Sequence, residues 1–201
     1  LGLGLIPNKI LIILSGEARL VSSTSEGSTT ISKLKSDSFI GLTSILRVKG
    51  CEQVRASTEV VVLAIPDTII LKLYKEDLNF NKWCNTTLQI PELIDLANYF
   101  LNKTPKSNLN TKKLVDLFLK NASLLTLDNG KSLSKKEGFV KIISSANIDN
   151  HEIGKILLND QIIKTRGELP ARIIEIEKNI FDKISESISY EDTIVKDSIV
   201  D

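Results

Sequence analysis

Short apolar runs separated by polar turns fill the first third of the chain. Lys9 to Leu14 (KILIIL) is rich in β-branched residues and is closed by Ser15-Gly16, a turn signal. Glu17 to Val21 alternates apolar and polar and reads as the next strand; residues 22–28 form a loop, and Thr29 to Leu34 returns as a strand. Residues 35–38 make a turn into Phe39, and Val54 to Ile65 is a further β-branched stretch ending at Pro66. After Pro66 the period changes. Ile69, Ile70, Leu73 and Tyr74 share one helical face, with Pro66-Asp67 as a helix opening. Pro91 opens a second amphipathic helix carrying Leu93, Ile94, Leu96, Ala97, Phe100 and Leu101. Asn110 or Thr111 caps a third, with Leu114, Val115, Leu117, Phe118 and Leu119. Between the first two, Trp83 is expected to pack on the preceding β region. Strands then resume at 124–127, 139–144, 152–158, 161–165 and 171–176, and a helix closes the pattern over 179–188. Residues 189–201 have no clear period. Short strands with polar turns argue for a roll or sandwich rather than a parallel α/β sheet.

The two β regions can be laid over each other. VLAIPDTIILKL (62–73) and IIEIEKNIFDKI (173–184) share a strand, a break and an amphipathic helix. Ile65 matches Ile176, Ile69 matches Ile180 and Leu73 matches Ile184. Upstream, ILIILSG (10–16) parallels FVKIISS (139–145), and Gly41 loosely parallels Gly154. The competing reading is two unrelated strand–helix junctions. If the repeat is real, the second copy has opening strands (124–137) that the first lacks, and the first roll needs completing by another element. A first residue Leu and the absence of Met lead to the expectation of a piece of a longer polypeptide.

Composition narrows the function classes. A net charge of +1 gives no global attraction to nucleic acid or anionic membrane, and 5% aromatic residues leave little for base stacking. The abundance of Ile, Leu, Lys, Asn and Ser resembles an AT-rich bacterial coding bias. No apolar run approaches the roughly 20 residues of a membrane helix. The start, LGLGLIPNKILIIL, lacks a basic leader and a cleavage site. Cys51 and Cys84 are far apart and read as reduced, partly buried thiols; His151, the single histidine, reads as a solvated loop residue. One histidine and no cysteine cluster speak against a zinc site or a Ser/His/Asp triad. There is no GxxxxGK[ST] and no GxGxxG, no acid/base pair stands out, and KKEG, KTRGE and EIEK read as surface charge runs. The expected function is non-enzymatic.

Candidate chemistry concentrates in FIGLTSILRVKGCEQVRASTEVVVLAIP, residues 39–66. It reads as a glycine turn at Gly41, a short helix with Thr43 and Ser44, a basic turn with Arg47 and Lys49, and a strand. A helix start with free N–H groups and hydroxyls beside basic residues can hold a phosphate. The same residues also suit a solvated turn with helix capping.

This stretch resembles the phosphate-binding cassette of cyclic-nucleotide-binding domains. There a strand leads into Phe-Gly-Glu, a short helix, an Arg-Ser/Thr-Ala step and a strand ending near Leu-x-Ile-Pro. ILSGEARLV also resembles that family's Ile-x-x-Gly-x-x-x-Val hairpin, in the right order upstream. The resemblance implies that an acid after the cassette glycine holds a ribose hydroxyl and that an arginine pairs with the cyclic phosphate. Here Leu42 takes the acid's place, Lys155 follows Gly154, and no arginine stands at 49–51. The expected fold is α+β, two cyclic-nucleotide-binding-like β-rolls (jelly-roll) joined by a helical segment. The expected boundaries are 1–75 for an N-terminally incomplete roll, 76–122 for a helical connector, 123–188 for a shorter second roll and 189–201 for a tail. The resemblance implies a regulatory or interaction region of a larger bacterial protein with a degenerate ligand site. The alternative is a functional cAMP or cGMP sensor. Gly41, Thr43, Ser44, Arg47 and Lys49 are the candidate ligand residues; no metal and no cofactor is expected, with a cyclic nucleotide as the one candidate ligand. ASTE…LAIP resembles the β-rolls preceding the membrane part of bacterial ABC exporters of peptides or toxins. The expected partners are the rest of a longer polypeptide, other protein domains or a second copy, at a cytoplasmic location, without nucleic acid and without membrane insertion by this segment.

Overall fold

The computed structural model describes residues 4–24, 27–104, 109–134, 136–157 and 161–189. The chain begins with β1 (Lys9–Ser15), β2 (Ala18–Thr24), β3 (Gly27–Leu34), β4 (Phe39–Ile40), α1 (Leu42–Leu46), β5 (Val54–Ala56) and β6 (Val61–Pro66). Four helices follow: α2 (Asp67–Glu76), α3 (Leu78–Thr86), α4 (Ile90–Lys103) and α5 (Thr111–Asn121). The remainder is β7 (Ala122–Leu127), β8 (Phe139–Ile143), β9 (Ile156–Leu157), β10 (Ala171–Glu177) and α6 (Lys178–Ser189). The strands make three antiparallel sheets, ordered β4-β1-β6, β3-β2-β5 and β7-β10-β8-β9. This is a mixed helix-and-strand fold with antiparallel sheets.

The β-branched stretch 54–65, expected as one strand, is two. β5 pairs with β2 and β6 with β1, in different sheets. The crossing between them is built on Gly16. Its φ of 88° is left-handed, and a Cβ there would lie 2.1 Å from the Glu59 carbonyl oxygen. The Glu17 carbonyl accepts the Ser57 and Thr58 N–H groups at 2.8 and 3.3 Å, which turns the chain from one sheet to the next.

α2, α4, α5 and α6 lie where the 3.6-residue period placed them, α3 is a further helix the period did not mark, and the helix ends show why they form. Asp77 accepts the Phe80 N–H at 2.8 Å and Asn110 the Lys113 N–H at 2.9 Å. Gln89 and Glu92 form a reciprocal capping box on α4, which has Pro91 in its first turn. α4 and α5 are more than a connector. Leu93, Leu96, Ala97, Leu114 and Phe118 are fully buried in one cluster with Leu20 of β2, Ile142 and Ile174 of the last sheet, and Phe181 and Ile184 of α6. Helical and β regions therefore share a core. No helix among the described residues is long and apolar enough to cross a membrane.

The strands expected at 152–158 and 161–165 shrink to β9. Residues 161–165 instead bond loosely to the turn at 130–133, with Leu133 N–H to Gln161 O at 2.9 Å and Ile163 N–H to Lys131 O at 3.0 Å. EIEK is not all surface: Glu175 is buried and paired with Lys136. His151 is half-buried rather than solvated, its ring bonded to the Asp149 carbonyl at 2.7 Å and to Gln161 at 2.9 Å. Trp83 does meet the first β region, its ring 5.8 Å from Phe39. The tail from residue 190 onward lies outside the described residues.

Candidate functional site

The cassette turns on Gly41. Its φ of 95° opens α1 in a left-handed conformation, and a Cβ would lie 3.0 Å from the Pro7 side chain. All five residues of α1 are buried, Thr43 and Ser44 among them. Backbone N–H groups of such a turn need acceptors. Here the acceptor is internal. The Glu52 carboxylate takes the Gly41 N–H on one oxygen and the Ser44 N–H, at 3.1 Å, on the other. Burial pushes the Glu52 carboxyl above its ordinary value, and the hydrogen bonds from Gly41, Ser44 and Thr43 oppose that push. Ser44 faces inward: its hydroxyl accepts the Cys51 N–H at 3.2 Å and lies 3.7 Å from the Cys51 sulfur.

The two cations of the basic turn are also committed. Arg47 is fully buried, and its Nε donates to the Ser144 carbonyl at 2.5 Å, at the end of β8. Its Nη2 donates to Asp95 of α4 at 2.9 Å, and its carbonyl accepts the Ala146 N–H at 2.9 Å. Lys49 bonds both oxygens of Asp95, at 3.1 and 2.9 Å. Asp95 and Lys49 stand at one wall of an open cleft of about 450 Å3 between α4 and residues 146–153. Over the end of the basic turn, a Cβ on Gly50 would lie 2.4 Å from the Leu5 N atom, so the segment at 4–5 lies directly on it.

Beside this turn sits a second polar group that sequence reasoning missed. Arg172 of β10 donates from Nε and Nη2 to the two oxygens of Glu92, at 3.0 and 2.8 Å, with both side chains buried. Its Nη1 donates to the Cys84 carbonyl at 2.8 Å. Glu92 also accepts the Ser144 hydroxyl at 3.1 Å and the Gln89 N–H at 2.9 Å. Burial alone would push the Glu92 carboxyl up; the charge and hydrogen bonds of Arg172, aided by Arg47, hold it below the usual carboxylate range. Through Ser144 the pair joins Arg47, so cassette, α4 and last sheet are one connected polar network.

The predicted site residues therefore do come together in space. Gly41, Thr43 and Ser44 surround Glu52, and Arg47 and Lys49 converge on Asp95 rather than on the α1 N-terminus. Sequence reading missed Glu52, whose signal was a single acid in the otherwise basic turn between α1 and β5. It also missed Asp95, Glu92, Ser144 and Arg172, which lie outside the cassette in sequence, Asp95 48 residues from Arg47. Cys51 and Cys84 are free and buried, and burial pushes both thiols up, Cys84 to about 11. Among the described residues no group of His, Cys, Asp and Glu could hold a metal.

Residues 4–77 match the family model of the cyclic nucleotide-binding domain. No curated protein matches the chain. Among solved structures it is similar to cAMP-bound PfPKA-R (141–441), at 12% identity over 98% of this chain and 72% of that one, with a TM-score of 0.36. It is similar to the regulatory domain of Toxoplasma gondii PKA with cAMP, at 9% identity over 98% and 80%, with a TM-score of 0.37. A cyclic nucleotide-binding-like protein from Brucella abortus is 21% identical over 38% of this chain and 66% of that one, with a TM-score of 0.33.

Proposed function

We propose that this chain is a non-enzymatic regulatory or interaction region with a cyclic-nucleotide-binding fold whose phosphate cradle is filled by its own Glu52. One observation carries this reading: the carboxylate accepts the N–H groups of Gly41 and Ser44, the groups a bound phosphate would use. A cyclic phosphate would have to displace a buried carboxylate already bonded there. It would find the Arg47 guanidinium already held by Ser144 on Nε and by Asp95 on Nη2, with only Nη1 unpartnered. The amide resonances of Gly41 and Ser44 test this. They stay in place during titration with cAMP; a saturable shift at both would overturn the reading.

The alternative is a working cyclic-nucleotide sensor in which Glu52 swings away. The match of residues 4–77 to the family favours it. In that case Glu52→Gln, which keeps the volume and removes the charge, raises affinity for cAMP. The host we propose is a larger bacterial protein, an ABC-type peptide or toxin exporter, with this region on its cytoplasmic side; the resemblance of ASTE…LAIP carries this reading. A membrane-spanning and ATPase region in the parent reading frame supports it, and a short frame without them removes it.

A further inference from the structure

A pocket of about 250 Å3 lies between α2 and residues 166–169. Its walls are Val48, Leu71, Tyr74, Lys75 and the loop from Arg166 to Leu169. Leu71, Tyr74 and Leu169 pack into the core cluster beneath it. The pocket shares no residue with the cradle formed by Gly41, Ser44 and Glu52.

Val48 is the unusual member. It follows the end of α1, where its N–H donates to the Ile45 carbonyl and the Lys49 N–H donates to the Ser44 carbonyl, both at 3.0 Å. A helix ending of this kind ordinarily puts glycine in its left-handed position. Here a β-branched residue takes a φ of 53°, a conformation such side chains almost never adopt. Burial does not offset the strain, because Val48 stays 37% exposed. Glycine would make the turn more easily, so the isopropyl group serves something other than the fold. Backbone strain of this kind is kept where a site needs it.

The size and the polar groups of the pocket define what fits. An apolar cavity of about 150 Å3 holds benzene. This one takes a single ring with a short chain, or an aliphatic chain of like volume, and has no room for a strand or a helix. The Tyr74 hydroxyl is committed, donating to Asn85 Oδ1 at 2.9 Å. The loop supplies donors. Among the described residues, the N–H groups of Gly167, Glu168 and Leu169 take part in no hydrogen bond. Gly167, at a φ of 80°, has only backbone to present to the pocket. Successive free amides around a left-handed residue suit an anion. Two exposed cations add to them. Lys75 pairs with Glu168 at 2.5 Å, and the exposed Glu168 carboxylate can turn to water when another anion takes Lys75. Arg166 uses Nε for Asp149 and Nη2 for the Ala146 carbonyl, which leaves Nη1.

We propose that this pocket binds a small amphipathic carboxylate, an aromatic or short aliphatic acid. Its apolar body packs on Val48, Leu71, Tyr74 and Leu169. Its carboxylate takes the free amides of residues 167–169 together with Lys75 and Arg166. Because Val48 stands between Arg47 and Lys49, the bound acid rests directly on the basic turn.

The test titrates the full 201-residue chain with hydrocinnamate and with octanoate, following backbone amide resonances. The expected result is a saturable shift at Val48, Gly167, Glu168 and Leu169, with Gly41 and Ser44 unmoved. Hydrocinnamyl alcohol, which has the same body without the charge, binds about tenfold more weakly. Val48→Gly relieves the strained φ, keeps the fold and weakens binding of hydrocinnamate several-fold. Four results overturn the proposal: no saturable shift at millimolar acid, equal binding of the alcohol, unchanged affinity in Val48→Gly, or shifts at these amides that follow chain concentration without acid, which would seat a second copy there. Cyclic nucleotide is absent from the experiment, so its failure is distinct from a failure of the Glu52 reading.

Discussion

Replacing Arg172 with methionine keeps much of the side chain's length and removes the guanidinium. Glu92 then loses two hydrogen bonds, at 3.0 and 2.8 Å, and its nearest compensating charge. The Gln89 N–H, the Ser144 hydroxyl and the more distant Arg47 are left to hold a fully buried carboxylate. Stripping one partner from a buried pair costs about 3–5 kcal/mol. With a urea slope of about 2 kcal/mol/M, that lowers the midpoint at pH 7 by about 2 M. The pH dependence identifies the cause. In the wild type the Glu92 carboxyl is held below its unfolded value. Its contribution to stability is therefore complete above the unfolded carboxylate pKa of about 4.3, and is lost as pH falls below it. In Arg172→Met burial dominates and the carboxyl rises above the unfolded value, so the folded variant takes up a proton first. The variant then gains stability relative to the wild type as pH falls from 7 to 5. Replacing Glu92 by methionine as well removes the stranded charge. It restores most of the loss, short of the roughly 1 kcal/mol of the α4 cap. A loss below about 1 kcal/mol at pH 7, or a difference between variant and wild type that does not change with pH, refutes the buried-pair account.

Three further outcomes follow from the same geometry. Arg47→Ala removes a fully buried cation bonded to Asp95 and Ser144, and lowers stability by about 3 kcal/mol in urea titrations; a loss no larger than that of an exposed lysine counts against it. Gly154→Ala places a Cβ 2.2 Å from the Tyr99 ring at a φ of 85°, and lowers Tm by several degrees; Tyr99→Ala in the same chain returns part of that loss. Cys51 and Cys84 stay unmodified by a thiol-directed disulfide reagent at pH 7 until the chain is unfolded, because burial keeps both protonated; rapid labelling of the native chain contradicts this.

What was legible in the sequence was local. Periods of 2 and 3.6, the Pro91 and Asn110 helix openings and the Ser15-Gly16 turn are properties of neighbouring residues, and the elements they mark are present. The basic turn at Arg47 and Lys49 was visible as chemistry, but its orientation was not. Asp95 decides where both cations point, and it lies on a helix brought alongside by the core around Leu93, Leu96 and Leu114. Arg172 was hidden because its partner Glu92 is 80 residues away and reads on its own as a capping-box acid. The break at 57–60 was missed because β-branched residues suit both strands, and the corner is marked by contacts with Gly16 and Glu17, some 40 residues earlier in the chain.

The most direct test of the central claim, that Glu52 occupies the phosphate cradle, is a thermal-shift titration of the wild-type chain with cAMP and cGMP against 5′-AMP. A cyclic nucleotide at about 100 times its Kd adds roughly 2.7 kcal/mol of stability, a shift of several degrees. The account predicts no shift at millimolar ligand; a shift selective for the cyclic nucleotides would contradict it.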